Sequence, residues 1–135
     1  MGSLSDGESA VQIHARHIAI HGKHGDELLP PTSLRVASGE LALVACSQQQ
    51  AIAFALAFSG RMATDDGAVL IDGYGDDPVL RRLVGVVDAP GVTEPEPALP
   101  LRAVVAEQLA VAGCPASRNA VEDWLVEHAA DEFAR

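Results

Sequence analysis

Residues 59–73 read SGRMATDDGAVLIDG, and this stretch sets the architecture. Ser59-Gly60 closes a helix-forming run, QQQAIAFALAF at 48–58, whose Gln, Ala, Leu and Phe favour helix. Asp65-Asp66-Gly67 is turn chemistry. Ala68 to Ile71 is then a continuous apolar run, as in a strand buried on both faces, and Asp72-Gly73 ends it. Helix, turn and strand in close succession predict an α/β protein.

Upstream, LALVA at 41–45 is a second continuous apolar run and predicts another buried strand. Ser38-Gly39-Glu40 turns into it from a strand at 34–36, and Pro30-Pro31 is expected to break the chain before that. Residues 11–21, VQIHARHIAIH, alternate apolar and polar: Val11, Ile13, Ala15, then Ile18 and Ile20. The alternation predicts a half-buried strand, with a parity slip near His17 that marks a bulge. Residues 22–26 are a turn, and 1–10 read as a disordered leader. Downstream, Asp77-Pro78 opens a short helix through Arg82, LVGVV at 83–87 predicts a strand, 89–100 a Pro- and Glu-rich loop, and 101–112 a helix. Residues 119–133 give the clearest helix signal. Asn119 and Glu122 have capping-box spacing, and Val121, Trp124, Leu125, His128, Ala129 and Phe133 share one face. The expected sheet has about five or six strands.

Three segments, in order, resemble the nucleotide-binding domain of ATP-binding cassette (ABC) transporters. Residues 29–45, LPPTSLRVASGELALVA, resemble the family's approach to its phosphate-binding loop. Residues 59–73 resemble its "aG…pd.G.v.idG" segment. Residues 80–87, LRRLVGVV, resemble "lrr.igyv", and 99–109 look like the segment that follows. The resemblance implies a truncated ABC-ATPase-like P-loop fold: a mixed β-sheet with a central helix at 48–58 and a helical C-terminal segment. It implies an α/β core at 11–113 and a C-terminal amphipathic helix at 114–135.

The same resemblance locates the P-loop at Ala45, Cys46, Ser47, Gln48, Gln49, Gln50, Ala51, Ile52 and Ala53. The family's glycines fall at Ala45, Gln48 and Gln50, its lysine at Ala51 and its magnesium-binding hydroxyl at Ile52. Glycines let backbone N–H groups curl around phosphates, lysine neutralises the β/γ oxygens, and the hydroxyl holds Mg²⁺. None of these groups is present, and Lys23 is the sole lysine, so no shift of register restores one. The Q-loop position falls near Ala89, and the adenine-stacking position near His21 to His24. No LSGGQ signature, Walker B Asp-Glu or switch histidine occurs. The resemblance therefore implies a pseudo-ATPase with no required cofactor, with weak ATP binding through helix amides as its limit.

Composition narrows the partners. The formal net charge is −10, which repels nucleic acid and anionic lipid. No apolar run approaches the ~20 residues of a membrane span, and residues 1–10 lack the basic and apolar regions of a signal peptide. A cytoplasmic protein is expected, reaching the membrane only through a partner. Two cysteines, Cys46 and Cys114, suggest no disulfide framework. His14, His17, His21 and His24 lie on a strand and turn, a spacing that does not predict a metal site.

The expected function is that of a non-catalytic accessory or regulatory subunit of a membrane transport assembly. A transport protein, an ABC subunit or a second copy would cover the sheet edge that the missing strands leave open, with Trp124, Leu125 and Phe133 as candidate docking residues. The alternative is a residual ATP half-site completed by another ABC subunit. A cysteine-dependent enzyme built on Cys46, at a helix start, is a third. Asp88-Ala-Pro-Gly91 mimics a GTPase DxxG motif, but without a P-loop lysine it reads as a turn.

Overall fold

The computed structural model describes residues 11–134, and the disordered leader expected at 1–10 lies outside them. The protein is mixed α/β, with a three-stranded antiparallel sheet and four α-helices among the described residues. Strands β1 (Gln12–His21), β2 (Glu27–Ala37) and β3 (Asp66–Ile71) are ordered β2-β1-β3; helix α1 (Gln48–Phe58) lies between β2 and β3 in the chain, and α2 (Asp77–Leu83), α3 (Leu101–Val111) and α4 (Arg118–Glu127) follow β3. A 3₁₀ turn covers Asp131–Phe133. The chain divides into two compact units, Met1–Thr93 and Glu94–Arg135. Helix α3 thus falls with α4, whereas its sequence had assigned it to the α/β core.

In the first unit, β1 is central and its bulge explains its sequence. Ala15 pairs with Leu34, but the next pair is Ile18 with Thr32. His17 takes up the extra residue at φ 47, and its N–H donates to Ser33 Oγ at 2.9 Å. The slip resets the two-residue period, so Ala15 before it and Ile18 and Ile20 after it all enter the core. Gly67 makes the bulge possible. It sits at φ +75, and a Cβ there would run into the carbonyl oxygens of Arg16 and His17.

Helix α1 covers this sheet through Ala53 and Ala57, both buried, with Phe54 and Phe58 stacked at 4.9 Å. Its end is a Schellman cap: Gly60 at φ +67 donates to Ala57 O, and Arg61 N donates to Leu56 O. A Cβ on Gly60 would lie 2.8 Å from Leu80 Cβ, so the glycine also lets α2 close on α1. In the second unit, Val105 of α3 packs with Val121 and Leu125 of α4.

Several expectations are corrected. The sheet has three strands, all antiparallel, and not a mixed set of five or six. Pro30-Pro31 lies inside β2, because β2 is an edge strand whose outer side needs no ladder donor. The runs 41–45 and 83–87 are not strands: Leu41 and Leu43 are 88% and 91% exposed, and Val87 is 89% exposed. A strand buried on both faces needs neighbours, and no described strand flanks either run. The last helix starts at Arg118 on a Ser117 cap and stops at Glu127. Asn119 is not the cap, since Glu122 turns instead to Arg118, and Ala129 at φ 51 breaks the helix before Phe133.

Candidate functional site

The nine residues that the resemblance had suggested as a P-loop, 45–53, straddle the start of α1. Ser47 is its N-cap, with an extended backbone. The Ser47 hydroxyl accepts from Gln50 N at 3.3 Å, and the Gln50 side-chain oxygen accepts from Ser47 N at 3.1 Å. This reciprocal capping box consumes two N–H groups at the helix end where a P-loop presents its donors. The spacing Ser-x-x-Gln at 47–50 carries this signal in the sequence.

Ala45, Cys46, Gln48, Gln49 and Ala51 are exposed, Gln50 and Ile52 are half-buried, and Ala53 is in the core. None of these nine residues has a positive φ, and no glycine lies between 41 and 58. The segment therefore follows an ordinary extended entry into a helix, not a loop curled around an anion. Ala51 and Ile52, where a P-loop lysine and hydroxyl were expected to fall, bring no polar side-chain group. Cys46 is exposed, with no hydrogen-bonded base among the described residues. Ala89, at the Q-loop position, is 8% exposed, and its N–H donates to Thr93 Oγ1 at 3.0 Å.

The apolar run that leads into this site is bare. Leu41, Leu43 and Val44 are all exposed, without strand partners, within six residues of the cap. Water around two whole leucine side chains is unfavourable by about 1.5–3 kcal/mol each relative to burial. The sequence located this run but assigned it to the interior.

The proposed docking residues of the second unit separate. Leu125 is 2% exposed and belongs to that unit's core. Trp124 is half-buried, its ring stacked on His128 at 4.0 Å, while the His128 ring Nδ1 lies 2.8 Å from Trp124 O. Phe133 is 63% exposed beyond the end of α4. Of the histidines, His21 Nε2 lies 3.7 Å from Asp66 Oδ2, His17 forms the bulge and His24 sits in the β1–β2 turn. Among the described residues, no three His, Cys, Asp or Glu side chains are gathered as a metal would require. No helix among them is long and apolar enough to cross a membrane.

No family model matches the chain. A search of curated proteins likewise finds no significant match.

Proposed function

We propose that the chain is a non-catalytic ABC-ATPase-like binding module that serves as an accessory or regulatory subunit of a membrane transport assembly. Three ordered segments, at 29–45, 59–73 and 80–87, support the family reading, with a helix between the first two where the P-loop helix would stand. One observation carries the non-catalytic part. The capping box of Ser47 and Gln50 engages N–H groups that phosphate would need, and Ala51 and Ile52 offer neither charge nor hydroxyl. The docking part is supported by the exposed run 41–45, an apolar strand-forming sequence with no strand to pair with among the described residues.

A residual ATP half-site, completed by another ABC subunit, is the second reading. It is favoured by the first-turn amides of Gln48 and Gln49, which have no intrahelical acceptor. Isothermal titration of the whole chain with Mg-ATP and Mg-ADP, up to millimolar nucleotide, separates the two. The accessory-subunit reading expects no binding heat. A Kd below about 100 μM, more than roughly 5 kcal/mol of affinity, would overturn it in favour of the half-site.

A further inference from the structure

The second unit, Glu94–Arg135, is strongly acidic: eight carboxylates stand against three arginines. Arg135 lies outside the described residues, but the other two, Arg102 and Arg118, line one open groove of about 580 Å³. That volume is in the range that holds small ligands. Its remaining lining is Ala103, Ala106, Ala116 and Val121, short apolar side chains, together with Glu122.

Scattered at random among so many acids, two arginines would each be expected to find a carboxylate. Arg102 has no ion pair among the described residues. Arg118 donates through Nε to Glu122 Oε1 at 3.0 Å, which leaves its two terminal nitrogens without a carboxylate among the described residues, and its side chain is 89% exposed. Both arginines also occupy helix first turns, where a cation opposes the helix dipole and an acid is usual. Neither α3 nor α4 has an acidic residue in its first turn. An anion in the groove that both arginines line would supply the missing negative charge beside both helix starts.

We infer that this groove binds a small monocarboxylate with a short aliphatic body. The charge decides the class: two guanidiniums less the Glu122 carboxylate leave one positive charge, which one carboxylate balances and a phosphate dianion exceeds. The guanidinium forks match a carboxylate edge bidentately, and the alanines of the lining take the aliphatic part. This site uses none of the residues of the proposed docking run and stands or falls without it.

The test is a titration of the full ¹⁵N-labelled chain with butyrate at low ionic strength, followed by amide shifts. Binding in the millimolar range is expected, with saturating shifts confined to 102–106 and 116–122 and abolished by added salt, since the site is open to solvent. Arg102→Gln should weaken the affinity about tenfold, the value of one charge-assisted contact. Glu122→Gln should strengthen it severalfold by releasing Arg118, which keeps the test decisive even if Arg102→Gln disturbs the fold. Shifts spread over the whole chain, shifts matched by sodium chloride at equal ionic strength, tighter binding of inorganic phosphate than of butyrate, or an affinity untouched by Glu122→Gln would each overturn the assignment.

Discussion

Replacing Leu43 by serine separates two accounts of the run 41–45. Read as a buried strand, Leu43 would contribute the full 1.5–3 kcal/mol of a buried leucine, roughly, and its loss would also bury a hydroxyl without a partner at a further ~1–3 kcal/mol. In the structure Leu43 is 91% exposed and lies outside any helix or strand. Only about a tenth of the transfer term then remains, about 0.1–0.3 kcal/mol, the ordinary scatter of a surface change. Leu29, 4% exposed in the same unit, is the internal standard, and its truncation to alanine should cost about 2–5 kcal/mol. Urea unfolding followed by far-ultraviolet circular dichroism reads both. With m near 1–3 kcal/mol/M, roughly, Leu43→Ser should move the midpoint by at most about 0.3 M with m unchanged, and Leu29→Ala by about 1 M or more. A loss above about 2 kcal/mol for Leu43→Ser would mean that 41–45 is buried in the isolated chain, and would refute the docking argument built on it.

Gly67→Ala should destabilise the first unit by about 2–4 kcal/mol, from a left-handed φ of +75 and a Cβ thrust against the Arg16 and His17 carbonyls; chemical denaturation measures it. Ser47→Ala should cost about 1 kcal/mol through the lost cap, and should not change the response to Mg-ATP in titration calorimetry. Leu125→Ala should cost about 2–5 kcal/mol and loosen the packing beside Trp124, the chain's sole tryptophan, seen as a red-shifted emission maximum.

Local chemistry was legible wherever it sufficed to decide the conformation. The parity slip at His17 announced the bulge, Ser59-Gly60 the end of α1, and Asp72-Gly73, at φ 49 and 86, the end of β3. Features that depend on neighbours were not. The runs 41–45 and 83–87 have strand-like composition, yet a strand exists only where another strand accepts its hydrogen bonds. Pro30-Pro31 looked like a break because nothing in the sequence tells an edge strand from a central one. Asn119 and Ser117 are both good caps, and the choice fell to Ser117, whose hydroxyl accepts from Ala120 N at 3.3 Å. At the candidate site, the absence of lysine and glycine, and of a hydroxyl at position 52, could be read directly. The bareness of Leu41 and Leu43 could not, because apolar composition signals a need for burial without saying what provides it.

The central claim is that 41–45 is a docking element for a transport assembly. A photo-crosslinking amino acid placed at position 43 in the whole chain, in its native cells, tests it, with position 111 as control because Val111 is also apolar and 76% exposed. The account predicts a discrete adduct from position 43, containing a membrane transport protein or an ABC subunit, and none from position 111. Uncrosslinked chain at both positions, or the same adducts from each, would contradict it.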